Sequence, residues 1–337
     1  SLTGSVDDAI SLGTANASGS TIRALALVDA PDDGIQLGVS GDRVSDATIA
    51  NCYIGVETDG TTANQNGGNG IEIVGDNNLI DGNVISGNSV SGVWMGSNST
   101  GNILADNLIG IGAGGTTGIG NGEHGVHINE NALSDNLIGL CLFGSCTGNT
   151  ISGNSGSGIL LEAGGQFVSD NLIGTDDNST SSVPNSNGIA VESNNNDIGG
   201  SGELGNVISG NDFNGIRIGV GNQTSADNNT VENNYIGTDA SGTSAVPNGN
   251  GGVEGGIRFD EGTNNDILDN VIAGNNAHGI RMRGSGSNTI QGNRIGVDPN
   301  GNPLGNNFVG ILVETNGNTI GGFDSGDGNI IGGNSGS

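Results

Sequence analysis

The chain has 337 residues, of which 68 are Gly, 32% hydrophobic and 3% aromatic, and it carries a formal net charge of −29. A surface this acidic repels nucleic acid and anionic membranes, so neither is an expected partner, and no stretch reaches the roughly 18 apolar residues of a membrane span. A Gly-rich, weakly apolar composition also suits disorder, but a strict apolar register runs through this sequence and disorder has no reason to keep one.

Residues 1–34 fit that register poorly. The segment "SVDDAISLG" predicts a short helix, so 1–34 is read as an N-terminal capping segment. From Ile35 onward one phrase returns ten times: Gly, then Ile or Val, a variable residue, and another apolar residue. The copies centre on Ile35, Ile71, Val93, Val126, Ile159, Ile189, Ile216, Ile257, Ile280 and Ile311. Ile-x-Ile alternation is the period of a strand with one buried face. The shortest spacings, 22 residues from Ile71 to Val93 and 23 from Ile257 to Ile280, accommodate three short strands and three turns. Gly density and the missing 3.6-residue period exclude helical repeats. The predicted fold is all-β: a single-stranded right-handed parallel β-helix of about ten coils over residues 35–337. Rungs spaced about 4.8 Å apart give a rod of roughly 50 Å.

Between the copies an Asn recurs at a fixed offset before x-Ile or x-Val: Asn83, Asn107, Asn136, Asn171, Asn234, Asn270 and Asn293. Asn tolerates left-handed backbone and bonds to main chain, so these residues read as a structural ladder. Cys52 in "NCYIG" aligns with Asn234 in "NNYIG" and reads as a small buried residue. Cys141 and Cys146 bracket a short loop and are the candidate disulfide, against two free thiols as the alternative. Longer repeats carry insertions after an "IG" strand, expected as loops protruding from one edge. Their aspartates Asp59, Asp176, Asp239 and Asp298 are either Ca²⁺ ligands or, the preferred reading, turn-capping carboxylates. The final "GNIIGGNSGS" stops in mid-repeat. Since a solenoid exposes its core where it stops, the segment is expected to be truncated from something longer, with end-to-end or lateral association open to it.

The register allows the outward face of one sheet to be read. The first variable position runs Gln36, Glu72, Trp94, His127, Leu160, Ala190, Arg217, Arg258, Arg281, Leu312. The next outward position includes Glu162, Glu192, Asp260, Arg283 and Glu314. Four of the seven basic residues, all of them Arg, thus share one patch of an acidic rod. Stacked like charges cost up to about 1 kcal/mol per pair. An anionic ligand is one way to offset that; the neighbouring carboxylates Glu192, Asp260 and Glu314 are the other. Trp94, the only Trp, and His127 lie on the same face. The candidate glycan- or anion-binding residues are therefore Trp94, His127, Glu162, Glu192, Arg217, Arg258, Asp260, Arg281 and Arg283. His124 and His127 are three apart and expected to face different ways, which makes a zinc site improbable.

"NVISGN", "GNTI", "NYIGTD" and "NGIAV" together resemble the extracellular right-handed parallel β-helix repeat proteins of bacteria, in the pectin-lyase-like superfamily, over about residues 35–337. That resemblance implies the fold and a sheet face that carries a polysaccharide groove. It does not choose among lyases, hydrolases, epimerases, tailspikes and adhesins. In lyases of the superfamily Arg can act as base while acidic residues hold Ca²⁺, a role open to Arg258 or Arg281 with Glu162, Glu192 and Asp260. Arg is otherwise a poor base, because its pKa exceeds about 12. "AHGIRMRGSG" around His278 resembles the His-Gly segment of polygalacturonases but lacks the accompanying Asp cluster. Asp32 and Asp33 lie at the far end and Asp176–Asp177 in a loop, whereas glycosidase chemistry needs two carboxylates at a defined separation. The leading expectation is a structural or adhesive segment of a bacterial surface or secreted protein, extracellular or at the cell surface, with a polysaccharide or cell-surface partner. The alternative is a polysaccharide-active enzyme using the same face.

Overall fold

A computed structural model describes residues 8–336, apart from 143–144, 203, 220–225, 250–253 and 285. Three parallel sheets of eleven strands each wind around one core. Every coil gives one strand to each sheet. Sheet A runs from Ile10–Leu12 to Ile311–Val313, sheet B from Thr21–Arg23 to Thr319–Ile320, and sheet C from Ala26–Leu27 to Ile330–Ile331. The ten phrase copies pair in sheet A in the predicted register, Ile35 with Ile71, Ile71 with Val93 and onward to Ile280 with Ile311.

Alternation decides which face is dry. Ile71 and Ile73, Val93 and Met95, Ile216 and Ile218 point inward and are fully buried, and the residue between each pair is half-buried. Burying each such side chain is worth about 1.5–3 kcal/mol. The Gly that opens the phrase has a specific cause. A Cβ on Gly70 would lie 2.6 Å from Gly92 O and 2.8 Å from Asn88 Nδ2, closer than atoms pack.

That Asn belongs to one of three amide ladders, one at each turn of the coil. Before sheet A the ladder runs Asn66, Asn88, Asn121, Asn154, Asn185, Asn211, Asn248, Asn275, Asn306, Asn334. Before sheet C it runs Asn83, Asn107, Asn149, Asn171, Asn206, Asn234, Asn270, Asn293, Asn329. A third precedes sheet B, from Asn78 and Asn102 through Asn136 and, with Gln166 as one rung, onward to Asn318. Asn136 therefore stands in a different ladder from the one expected. The triplet Asn-Leu-Ile occurs at both turns, and an inserted hairpin (Leu140–Leu142 with Ser145–Thr147) carries the sheet C turn on to Asn149. Cys52 heads the sheet C ladder: its N–H donates to Asn83 Oδ1 at 2.9 Å, and its thiol is buried. The backbone sets Cys141 opposite Cys146 in the hairpin register; the expected bridge concerns side chains outside the described residues.

Two expectations are corrected at the N-terminus. Ile10–Leu12 is a strand paired with Ile35–Leu37, not part of a helix, and the coil count rises from ten to eleven. The phrase was not recognisable there because Ala9 stands where Gly is otherwise required. The ladder position of the following coil is Ala30, whose N–H donates to Asn66 Oδ1, so the Asn amide that crowds the phrase Gly in later coils is missing at that level.

Protruding loops follow sheet C strands on every second coil. Each is closed by one antiparallel bridge: Val56 with Ala63, Ile111 with Gly118, Thr175 with Ser182, Thr238 with Ala245, Val297 with Pro303. The loops stack on one another across two coils, through Ala113 N–H to Gly60 O and Asp177 N–H to Gly115 O. Three of the four loop-free coils between them carry "ISGN", and the fourth carries "IAGN". There Ser86, Ser152 and Ser209 donate to Ile111 O, Thr175 O and Thr238 O at the loop bases. Asp59, Asp176, Asp239 and Asp298 each accept backbone N–H groups of their own loop. The Thr62 hydroxyl first, then the Thr61 and Thr62 N–H groups, hold the Asp59 carboxyl down at about 2. No helix among the described residues is long and apolar enough to cross a membrane.

Candidate functional site

The outward residues of sheet A form the column read from the sequence, in unbroken register from Gln36 to Leu312. Leu160 and Ala190 face outward yet are buried, which divides the face into two clusters.

The first cluster lies around Trp94. Its six-membered ring folds back over Gly96, so a side chain there would collide with it. One rung further, His127 Nε2 lies 2.8 Å from Glu162 Oε2, and Asn129 Nδ2 approaches the same oxygen at 3.4 Å. His124 and His127, expected to face apart, meet edge to face with ring centroids 5.4 Å apart. Ser157 N–H donates to His124 Nδ1 at 3.1 Å. That bond leaves the proton on Nε2, and burial lowers the pKa of the ring, so His124 is neutral. Burial, then the Glu162 charge, raises the pKa of Glu192.

On the other side of Trp94, Glu72 faces Asp33. Asp33 is 3% exposed and accepts Asn69 N–H at 2.6 Å. Burial first, then the charge of Asp33, pushes the Glu72 carboxyl up to about 8, and burial also raises Asp33. Sequence reasoning left both His124 and Asp33 out of the site. Both occupy the position two before the Ile of the phrase, where Asp33, Asn69, Ser91, His124 and Asn187 each meet an N–H of the next coil. Reading that column as well as the outward ones would have found them.

The second cluster is the Arg column, and it is internally paired. Asp260 takes Arg217 Nε on one oxygen at 2.8 Å and Arg258 Nε on the other at 2.9 Å. Arg258 also reaches Glu254 at 3.5 Å. Arg281 Nε donates to Glu314 at 3.0 Å, a bond that lowers the Glu314 pKa. Arg283 is exposed beside them. A small cleft of about 200 Å³ opens at Arg217 and Arg258, walled by Phe213, Asn187, Asn214 and Glu254. Phe213 and Glu254 are not predicted from the sequence, because both lie three before the Ile of their coils. His278 packs edge to face on Phe308 at 5.3 Å, with its Nδ1 buried and unpartnered. Among the described residues no three His, Cys, Asp or Glu side chains converge as metal ligands.

Comparison with known proteins agrees with this architecture. Residues 9–173 match the family described as right handed beta helix region. Among solved structures, the Dettilon tailspike protein superposes with a TM-score of 0.53 at 16% identity, over 91% of this chain and 55% of the tailspike. The Azotobacter vinelandii mannuronan C-5 epimerase AlgE6 A-module gives 0.51 at 13% identity, over 98% of this chain and 83% of the module. A double mutant of the periplasmic alginate epimerase AlgG gives 0.50 at 16% identity, over 86% of this chain and 66% of that one. The chain thus spans about half the length of the tailspike it matches. At these identities the likeness is one of fold. No curated protein matches the chain.

Proposed function

For a right-handed parallel β-helix of the pectin-lyase-like kind, we propose a structural and adhesive role: an extracellular rod segment of a bacterial surface or secreted protein that presents sheet A to a polysaccharide. The observation that carries this reading is the concentration of recognition chemistry on one sheet. Of the seven Arg in an acidic chain, Arg217, Arg258 and Arg281 lie on sheet A with the only Trp and His127, and Arg283, His124 and His278 flank its strands. Elsewhere the described coils carry mainly Asn ladders and turn loops, with one further cleft on sheet B beside Phe167, Asp197 and Glu232. The fold of a tailspike and of two alginate epimerases supports a glycan partner and a site outside the cytoplasm, without selecting an activity. The anionic preference expected from four stacked Arg loses force, since three of them already hold carboxylates.

A second reading, a polysaccharide-active enzyme, is favoured by one feature. His127 is held by Glu162 beside a neutral His124, an arrangement suited to proton transfer. One experiment separates the two. The protein is incubated with polyuronates, sulfated glycans and neutral glycans, with and without Ca²⁺, while bound glycan, unsaturated products and reducing ends are followed. Binding without turnover supports the adhesive reading. Turnover abolished by His127→Ala or Arg258→Ala overturns it.

A further inference from the structure

We infer that the Arg-bearing half of sheet A is a binding groove for an uncharged glycan chain lying along the rod axis, with Phe213 and Phe308 as its two stacking platforms. This rests on the proposed polysaccharide partner and narrows it to a substrate class. Phe213 and Phe308 hold the same place in their coils, three residues before Ile216 and Ile311. Both are exposed, at 47% and 39%, although burying them would be favourable. Ile216 and Ile311 are three rungs apart in sheet A, which sets the rings roughly 14 Å apart along the axis. That span holds a short oligosaccharide rather than a single ring.

Between the platforms the polar groups alternate in kind. Arg217, Arg258 and Arg281 donate, and Glu254, Asp260 and Glu314 accept. The cleft at Phe213 adds the amides of Asn187 and Asn214. A sugar hydroxyl both donates and accepts, so a surface of interleaved donors and acceptors satisfies it. An aromatic face beside them receives the apolar face of a pyranose, the usual composition of a small-molecule site. A uronate or sulfate would have to compete with Asp260 or Glu314 for Arg217, Arg258 and Arg281, with Arg283 alone outside those ion pairs, and it would approach a rod of net charge −29. An acidic chain therefore gains little here from charge pairing.

The test is a printed array of neutral, acidic and amino-bearing glycans, followed by titration calorimetry with the best neutral hexasaccharide and its disaccharide. A neutral glycan is expected to bind, with an affinity little changed between low and high salt. Phe213→Ala is expected to weaken it about 10-fold. Phe308→Ala should weaken the hexasaccharide but not the disaccharide. Phe167→Ala, which removes the exposed ring of sheet B, should leave both unchanged. Circular dichroism and melting of each variant establish that it is folded. Binding confined to acidic glycans, lost in high salt, overturns the uncharged class and leaves the polysaccharide reading standing. Binding to a neutral glycan that ignores both Phe213→Ala and Phe308→Ala overturns the groove. No binding to any glycan on the array overturns the polysaccharide reading and this inference with it.

Discussion

Replacing Asn107 with Ala tests the physical basis of the rod. Asn107 is fully buried. Its Oδ1 accepts both the N–H and the Nδ2 of Asn83 at 3.0 Å, and its Nδ2 donates to Ile80 O and Asn149 Oδ1 at 2.8 Å. After truncation Asn83 Nδ2 keeps Ile49 O, and Asn149 Oδ1 keeps the Asn107 backbone N–H. The Asn83 N–H is left buried with nothing to bond, at a cost of about 1–3 kcal/mol, and the two lost Nδ2 bonds add about 1 kcal/mol each. The expected loss is roughly 3–5 kcal/mol. In a solenoid each coil touches only its neighbours, so the damage should stay within the coils of Asn83, Asn107 and Asn149. Native-state hydrogen exchange is the direct assay. Protection at Asn83 and the adjacent sheet C amides should fall, while that of the coils beyond Asn234 should not. A loss under about 1 kcal/mol at the Asn83 amide would refute the argument, because water would then have replaced the ladder without penalty.

Three further outcomes are expected. Glu72 binds a proton more tightly folded than unfolded, so its contribution is complete below its ordinary range and is lost as pH rises through about 8; Glu72→Gln should flatten the decline in thermal stability across pH 5 to 8, and an unchanged pH profile would count against the Asp33–Glu72 pairing. Gly96→Ala puts a methyl group where the Trp94 ring lies, and because Trp94 is the sole Trp, the displaced ring should be read as a red-shifted emission maximum in an otherwise folded protein. Asp260→Ala leaves Arg217 and Arg258 facing each other on adjacent strands; unfolding should become easier by about 2 kcal/mol, with part of the loss restored by salt or by adding Arg217→Ala.

The repeating phrase alone determined the architecture, because the period of two and the Gly that must clear the next coil's Asn are local requirements written once per turn. It also determined which side chains share the outer face of sheet A: once Ile71 is level with Val93, Glu72 must be level with Trp94. Tertiary structure decided what those side chains do. Whether Arg217 is a free cation or half of a pair depends on the rotamer that reaches Asp260 one coil away, and no spacing encodes a rotamer. The assignment of Asn136 depended on which turn it occupies, which a triplet common to two turns does not specify. Ala9 passed unrecognised because the need for Gly arises from a residue in the following coil. Phe213, His124 and Asp33 reach the site from the turn before the strand, and their outward placement is set by how the chain bends into sheet A. Strand periodicity fixes what lies along a rung, whereas contacts between turn and sheet are settled only when the coils close on one another.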